Sequence, residues 1–395
     1  MGDVILPPAA WRDHPGLQRL VDALGPGNAR IVGGAVRDTI LGIDTADIDL
    51  ATTHAPDRII DLLEAARIKA VPTGIEHGTI TAVASDGVYE VTTLRRDLDT
   101  DGRRATVAFT DDWREDAARR DFTINALYAD PVSGEIFDYF DGIADLAARR
   151  VRFIGDPLKR IAEDHLRILR FFRFLARFGD TPDPAGLAAC ADRANDLMAL
   201  SRERIANELL RLLVAPRAPE VVALMLKHGI FAPVLPEIGD AARLEALANR
   251  EKAAEIEPDP VRRLASLLLD DPAAATAVGA RLKLSNLQRR RLESAVLPVD
   301  ASPRELAYRL GMEQAVDRLL LSGNSLEALR GWTPPRLLIS GGQLVAKGLT
   351  AGPDVARTLH RIEERWIAEG FPDIDRVAVI ADEEVAQVLD AIRKS

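Results

Sequence analysis

The stretch that most constrains the fold of this chain spans residues 31–52 and reads IVGGAVRDTILGIDTADIDLAT. Near its end, two carboxylates, Asp47 and Asp49, alternate with aliphatic residues. We predict a short strand from Ala46 to Ala51, because residues two apart in a strand point to the same side. In that strand the two acids share one face, and the aliphatic side chains enter the core.

Two carboxylates held side by side repel each other unless a cation neutralises them. A site built from oxygen ligands favours Mg²⁺ or Mn²⁺ over zinc. We therefore predict that Asp47 and Asp49 bind Mg²⁺, with Mn²⁺ as the alternative metal, and that they carry catalysis. A lone Asp-x-Asp also occurs on solvated strand ends and turns, so the elements around it have to be considered.

The elements before the acidic strand are typical of a phosphate-binding unit. A strand, Ala29–Val32, precedes Gly33 and Gly34, and a helix follows at Ala35–Leu41. Glycines let backbone amides approach a phosphate closely, and a helix N-terminus favours an anion. Arg37 would lie about one turn into the helix. This order predicts a triphosphate site beside the metal, with Gly34 and Arg37 as nucleotide contacts.

Composition is that of an ordinary globular protein, with 47% hydrophobic and 28% charged residues, so a substantial core is expected. A single cysteine, Cys190, excludes an internal disulfide and a cysteine-cluster metal site. The first residues lack the pattern of a signal peptide, and no stretch reaches the ~20 apolar residues that span a bilayer. We expect a cytoplasmic protein with no membrane partner and no disulfide partner.

The net charge of −10 argues against nucleic acid only until its distribution is considered. Residues 149–177 contain eight arginines and one lysine against three acids. Residues 281–291 contain four arginines and one lysine with no acid. Such basic segments are compatible with RNA binding, although the second could equally be a solvated helix face.

The hydrophobic pattern predicts an α+β fold, in which a small mixed-sheet head domain precedes an all-α remainder. The first part alternates helical and strand signals, whereas the pattern is helical almost throughout from residue 157. Asp86-Gly87 is a hairpin turn signal. The predicted helices and strands of the head, besides those above, are Gly16–Leu24, Arg58–Ala66, Lys69–Pro72, Gly78–Ala84 and Val88–Thr93.

Two further segments of the head carry candidate site residues. Glu90 shares a strand face with its neighbours two positions away, so it is either a third carboxylate of the metal site or a surface residue. We predict that residues 95–112 form a polar loop, since they are too charged for the core. Arg103 and Arg104 in that loop either reach phosphates and the primer or are solvated.

Residues 160–177 predict one amphipathic helix with four arginines and two acids on one half-face. Asp164 and Arg167 would lie one turn apart and could together read a base edge. Asp164 would accept from the exocyclic amine of cytosine or adenine while Arg167 donates to a ring acceptor. Guanine and uracil would place a carbonyl against the carboxylate. A salt-bridged helix is the other interpretation, but it would leave arginines in excess. Arg170 and Arg173 are further candidate nucleotide contacts.

Three separated strings, GGAVRD…DIDLAT, RRDFTINALY and EDHLR, together resemble the nucleotidyltransferase superfamily. The resemblance is to bacterial class II CCA-adding enzymes and their poly(A) polymerase relatives in particular. It implies that Arg120 contacts the triphosphate and that the EDxxR element selects the nucleotide. It also implies a catalytic head at 1–145, a nucleotide-selecting neck at 146–210, and a tRNA-binding body and tail at 211–395.

The activity that this resemblance implies is template-independent addition of C, C and A to the tRNA 3′ end from CTP and ATP, with release of pyrophosphate. A poly(A) polymerase that extends RNA with ATP is the alternative. Residues 73–79, TGIEHGT, look like CCA-adding enzymes, and the long basic tail of a poly(A) polymerase is absent. A catalytically inactive RNA-binding module is a third hypothesis, which would predict loss of a carboxylate or of the base-reading pair.

Overall fold

The computed structural model describes residues 4–45, 47–100, 105–268 and 271–394. The chain forms two compact units, Met1–Ala242 with Arg281–Lys283, and Arg243–Ala280 with Leu284–Ser395. No helix in the described ranges is long and apolar enough to cross a membrane. The predicted strand start at Ala46, and the candidate contacts Arg103 and Arg104, lie outside the described residues.

The strands of the described chain lie in the head, and they confirm the predicted mixed sheet. Strand bounds are β1 (Ala29–Val32), β2 (Asp49–Thr52), β3 (Lys69–Gly74), β4 (Thr79–Val83), β5 (Val88–Thr93), β6 (Arg95–Thr100), β7 (Ala105–Phe109), β8 (Leu127–Ala129) and β9 (Ile136–Asp138). Among the described residues, seven strands form one sheet in the order β3-β4-β5-β2-β1-β8-β9. β2 and β5 pair in parallel, and the other pairs are antiparallel.

Helices surround this sheet and then make up the rest of the chain, as the predicted all-α remainder requires. The helices up to residue 242 are α1 (Pro15–Leu24), α2 (Gly34–Ile40), α3 (Pro56–Ala65), α4 (Trp113–Ala118), α5 (Gly142–Ala147), α6 (Pro157–Glu163), α7 (Arg167–Phe178), α8 (Pro184–Asp192), α9 (Arg202–Leu213) and α10 (Ala218–Lys227). Those that follow are α11 (Ala242–Ala253), α12 (Pro260–Ser266), α13 (Pro272–Arg281), α14 (Asn286–Ala295), α15 (Pro303–Leu310), α16 (Met312–Ser322), α17 (Gly341–Ala346), α18 (Pro353–Ala368) and α19 (Ile374–Lys394).

Alternation along the strands gives the sheet two different faces. Ile31, Leu50 and Val91 lie opposite one another in register and are fully buried. Asp49 occupies the other face of β2, because side chains alternate along a strand. The antiparallel register of β1 continues from the Ile31–Leu50 pair, so that Val32 is the neighbour of Asp49 on that side, and Glu90 is its partner on β5. The hydrophobic pattern therefore determines which face carries the acids.

The polar loop predicted for residues 95–112 is wrong, because this segment forms an antiparallel pair of strands, β6 and β7. High charge favours a loop here, yet Ala105–Phe109 reads ATVAF and is rich in residues with high strand propensity. Polar residues are tolerated in a two-stranded ribbon that is not buried on both faces.

The single helix predicted for residues 160–177 is also wrong. α6 ends at Glu163, Asp164 has extended backbone with φ −153° and ψ 106°, and α7 begins at Arg167. The Asp164 carboxylate accepts a hydrogen bond from the backbone N–H of Leu166 at 3.1 Å. Aspartate competes with helical hydrogen bonding in this way, which explains the break. Asp164 of the predicted base-reading pair therefore lies on a turn between two helices, and Arg167 begins the second one.

Candidate active site

A cleft of about 360 Å³ lies at the acidic face of the sheet in the first unit. It is lined by Val32, Asp49, Leu50, Glu90, Thr92, Arg95, Arg119, Arg120, Asp121, Asp164, Arg167 and Arg170. Carboxylates and arginines thus make up most of its lining. Three segments that are far apart in sequence, around residues 49, 120 and 164, meet in it.

The acidic end of the cleft is formed by neighbouring parallel strands. Asp49 and Glu90 are directly opposite in register, so both side chains leave the sheet on the same side. Loss of water in the cleft raises the pKa of Asp49, and Glu90 and Asp47 raise it further against the opposing effect of Arg120. This carboxylate therefore lies in surplus negative charge, which a cation would relieve.

Asp47 precedes β2 and is exposed, and it is not among the residues that line the cleft. Its charge is nevertheless close enough to contribute to the raised pKa of Asp49. In the part of the chain that the structure describes, no three His, Cys, Asp or Glu side chains are arranged as a complete metal site. The oxygen-only character of the acidic end still suits a hard divalent ion.

Arg120 lines the cleft and is held there by two buried groups. Its Nη2 is 3.2 Å from a carboxylate oxygen of Asp116, and its Nε donates to the hydroxyl of Tyr128 at 3.1 Å. Tyr128 in turn donates to Asp116 at 2.6 Å. Burial opposes the ionisation of Asp116, but Arg120 and Arg119 outweigh it and lower the pKa to about 2. The clamp keeps a guanidinium fixed at the wall of the cleft.

The glycine pair lies next to this arginine. Gly33 has φ +70°, a conformation that glycine adopts without strain, and a Cβ added to it would lie 3.6 Å from Nη1 of Arg120. Gly34 begins α2 directly afterwards. The glycine turn and the second signature, separated by more than 80 residues, are therefore neighbours in space, as a shared phosphate site requires.

Asp164 and Arg167 also line the cleft. One oxygen of Asp164 accepts from Leu166, and the other accepts from Nη2 of Arg204 at 2.8 Å. Arg167 pairs with the Glu163 carboxylate and donates to the backbone carbonyls of Arg160 and Arg119, at 2.9 and 3.0 Å. The pair is thus fixed from several sides, and Arg204 is a contact that the sequence analysis missed.

Arg170 also lines the cleft, and its guanidinium is paired with the carboxylate of Asp121. Its Nε donates to Asp121 at 2.7 Å. Burial opposes ionisation of Asp121, but Arg170 and the amide of Asn125 outweigh it and keep the pKa of this carboxyl low. Asp121 was part of the RRD string, but its partner lies 49 residues away and gives no local sequence signal.

Arg37 and Arg173 are not brought into the cleft lining. Arg37 is 7% exposed, pairs with Asp38 at 2.7 Å and donates to Asn125 at 2.5 Å. Burial outweighs Asp38 and lowers the pKa of Arg37. Arg173 donates to the buried Glu208 at 2.6 Å. Both arginines brace helices in this structure, and their roles as nucleotide contacts stay predictions.

Comparisons with known proteins agree with this geometry. Residues 29–152 match the family described as poly A polymerase head domain, and residues 181–241 match the one described as a probable RNA and SrmB-binding site of polymerase A. The CCA-adding enzyme of Levilactobacillus brevis is 42% identical over 375 residues, which cover 89% of this chain and 92% of that protein. Mouse mitochondrial CCA tRNA nucleotidyltransferase 1 is 35% identical over 385 residues, covering 90% and 87%.

The fold gives the same result over nearly the whole chain. The crystal structure of the Bacillus stearothermophilus CCA-adding enzyme in complex with CTP superposes with a TM-score of 0.70 at 25% sequence identity. The match covers 95% of this chain and 99% of that one. Asp49 of the Asp-x-Asp strand, the RRD arginine and the EDxxR turn meet in one cleft, and the glycine turn lies beside that arginine. Together with these similarities, this shows that the chain belongs to the family of CCA-adding enzymes, the CCA tRNA nucleotidyltransferases.

Proposed function

We propose that this chain adds C, C and A to the 3′ end of tRNA, using CTP and ATP without a nucleic acid template and releasing pyrophosphate. The observation that carries the proposal is that one cleft is lined by the carboxylates of Asp49 and Glu90, by the clamped Arg120 and by the pair of Asp164 and Arg167. These are the groups needed to hold a metal, a triphosphate and a base at the same time. The nucleotidyltransferase family implies a divalent metal cofactor.

We propose Mg²⁺ as this metal, or Mn²⁺ in its place, with Asp47 and Asp49 as its ligands. The residues fit, because Asp49 offers carboxylate oxygens, and the charges of Glu90 and Asp47 add to the desolvation that raises its pKa. Glu90 is the neighbouring carboxylate that would be a third ligand. When bound, the metal would lower the pKa of the attacking tRNA 3′-hydroxyl and neutralise charge on the reacting phosphate.

Arg120 is proposed to hold the triphosphate. Its guanidinium forms a planar fork that matches phosphate oxygens, and the Asp116–Tyr128 clamp fixes its direction before substrate arrives. Pre-organised charge of this kind stabilises the transition state of phosphoryl transfer, since nothing has to reorganise during the reaction. Gly34 would bring the start of α2 close to the same phosphates.

Asp164 and Arg167 are proposed to select the base. An acceptor beside a donor matches the amine and ring nitrogen that cytosine and adenine present, whereas guanine and uracil would place a carbonyl against Asp164. An unpaired polar contact of this kind costs about 1–3 kcal/mol in a buried site. Selection of C and A then needs no template. The division into head (1–145), neck (146–210) and tRNA-binding body and tail (211–395) is part of this proposal, and the cytoplasm stays the predicted compartment.

The test is incorporation of labelled CTP and ATP into tRNA that lacks its 3′ CCA, with and without Mg²⁺. We expect metal-dependent addition of three nucleotides in the wild type and none in the Asp49→Ala variant, which should keep its fold by circular dichroism. Extension of any RNA with ATP alone would favour a poly(A) polymerase instead. No incorporation of either nucleotide would favour an inactive RNA-binding module and refute the proposal.

A further inference from the structure

The second unit contains a pocket of about 270 Å³ whose charged lining consists of arginines. Arg243, Arg250 and Arg318 line it, together with Ser322 and small or aliphatic residues. No acidic residue is among the lining residues that the structure describes. For a chain with a net charge of −10, a concave surface with only positive side-chain charge is a local exception.

Arg318 is the informative member, because it is buried without a carboxylate. It is 8% exposed, and its Nε and Nη2 donate to the backbone carbonyl and the hydroxyl of Ser294, at 2.8 and 3.3 Å. Within the described ranges no Asp or Glu lies at ion-pair distance from it. Burial lowers its pKa, and the charge of Asp300 only partly opposes that effect.

The other deeply buried arginines of the second unit show what is missing at Arg318. Arg262, Arg263 and Arg291 are 4–9% exposed, and each pairs with a buried carboxylate at 2.6–2.8 Å. A buried charge is costly unless it is paired, so this unit follows the rule at three positions and departs from it at Arg318. At Arg318, therefore, the carboxylates of the described chain supply no paired counter-charge.

Arg250 and Arg318 each retain donors for such a counter-charge. Nη1 of Arg250 donates to the carbonyls of Leu320 and Leu321, at 3.0 and 2.9 Å, at the end of α16. These bonds, and those of Arg318 to the end of α14, are helix C-terminal caps. A guanidinium carries five N–H groups, and in both residues part of the fork has no partner in the described chain. Capping therefore explains one side of each guanidinium and leaves the other side available.

We propose that Arg250 and Arg318 bind one phosphate group in this pocket. Guanidinium forks match the oxygens of a phosphate, and the uncharged remainder of the lining offers no repulsion to an anion. Two sources share this chemistry, a backbone phosphate of tRNA and free inorganic phosphate. The first source rests on the proposed function. We expect it to be the working ligand, because a bound tRNA presents phosphates at high local concentration.

The first arm of the test measures thermal unfolding of the full chain in inorganic phosphate against chloride at equal ionic strength. Wild type should gain stability in phosphate, and Arg318→Gln and Arg250→Gln should each lose the part of the gain that this pocket supplies. Arg336→Gln is the matched control, because Arg336 is an exposed arginine of the same unit that does not line the pocket. Arg318→Lys keeps the charge and should keep most of the gain, which separates anion binding from misfolding.

The second arm measures binding and use of tRNA. We expect Arg318→Gln and Arg250→Gln to raise the KM for tRNA by about 3–10-fold and to reduce the salt slope of tRNA binding by about 1, with kcat and the KM for CTP unchanged. Loss of the phosphate gain with unchanged tRNA binding would refute the tRNA source and leave free phosphate. Equal phosphate gains in all variants would refute the pocket. Neither the thermal arm nor direct tRNA binding requires catalysis, so failure of nucleotide incorporation would refute the proposed function separately.

Discussion

At the scale of single residues, ionised Asp49 lowers the free energy of unfolding of the metal-free protein. Its pKa is raised in the folded chain, so the folded state holds the proton more tightly than the unfolded state does. Stability is therefore greater at low pH and falls as pH rises from the ordinary pKa of 3.8 through the raised value. At neutral pH the ionised carboxylate is a cost in the metal-free protein.

Asp49→Asn should remove this cost. We expect the metal-free variant to unfold about 1–2 °C above wild type at neutral pH, the gain being small because the side chain is exposed. Nucleotide addition should fall below detection. Differential scanning calorimetry with and without Mg²⁺ checks the first point, and the metal should stabilise wild type more than the variant. A variant that melts below wild type at neutral pH would show that Asp49 is not in surplus negative charge.

Arg204 occupies an oxygen of the carboxylate that is proposed to read the base. It therefore sets the direction of Asp164, and a base amine has to share that oxygen with it. We expect Arg204→Gln to reduce discrimination of CTP and ATP against UTP and GTP by about tenfold, or ~1.4 kcal/mol, with a smaller loss of kcat for CTP. Steady-state kinetics with all four nucleotides measures it.

Arg202→Gln, on the same helix, is the control for loss of charge. Equal losses for all four nucleotides in Arg204→Gln would instead mean that Arg204 acts on overall binding or stability.

The sequence motifs identified Asp49, Arg120 and Asp164 as site residues, and the structure places all three in the lining of one cleft. They did not reveal which arginines were already paired. Arg173 looks available on its helix, but Glu208, 35 residues away, accepts its Nε–H. Helical phase predicts the side on which a residue lies, whereas its partner there depends on tertiary packing.

At the scale of elements, α7 is anchored by an aromatic cluster that also holds the second signature. Phe171 stacks on Phe153 with ring centroids 5.5 Å apart, and Phe122 contacts both rings. All three side chains are at most 1% exposed. The helix that carries Arg170 and the segment that carries Arg120 are thus fixed by one piece of core.

Phe171→Ala should reduce the free energy of unfolding by about 3–5 kcal/mol, because it leaves a cavity in a rigid stack. Urea denaturation followed by fluorescence or circular dichroism measures this change. Val132→Ala removes an aliphatic side chain that is 77% exposed and should change stability by less than about 0.5 kcal/mol. A loss below about 1 kcal/mol for Phe171→Ala would show that the cluster collapses around the gap.

Element boundaries were predictable where the period of the pattern was clear. β1 and β5 have the bounds that the sequence predicts, because each is a short run of strand-forming residues next to a clear turn signal, the glycine pair for β1 and Asp86-Gly87 for β5. The break at Asp164 was missed, because the apolar period continues across it while a side-chain hydrogen bond interrupts the backbone. The β6–β7 ribbon was missed because charge was weighed above strand propensity.

At the scale of the whole molecule, the hydrophobic pattern changes from mixed to helical near residue 157, and this change predicted the fold class. It did not predict where the two compact units begin and end. Pro258 and Pro260 are the kind of local signal that suggests a boundary, whereas the units divide at Ala242 and Arg243. A boundary between compact units depends on contacts between distant residues, which local composition does not encode.

The second unit is held by a buried ion-pair network around Asp317. This carboxylate is 0% exposed and pairs with Arg262 at 3.2 Å and with Arg291 at 2.6 Å. Asp317→Ala should destabilise the protein by about 3–5 kcal/mol, because it removes the fully buried carboxylate that two buried guanidinium groups share. Calorimetry of the full chain measures the loss.

Glu313→Gln removes another partner of Arg291, but the Glu313 side chain is 62% exposed, so a cost below about 1 kcal/mol is expected. Equal costs for the two variants would contradict the view that burial determines the value of these pairs.

The register between β2 and β5 has a consequence for how this enzyme can vary over evolutionary time. A one-residue insertion or deletion in β2 would turn Asp49 into the core and expose Leu50, because strand faces alternate with a period of two. Such a change would remove the chemistry and the folding energy together. Loss of function by a shift in this strand would therefore leave a protein that is degraded, and inactive descendants that still fold should arise by substitution at the acids and keep the length of β2.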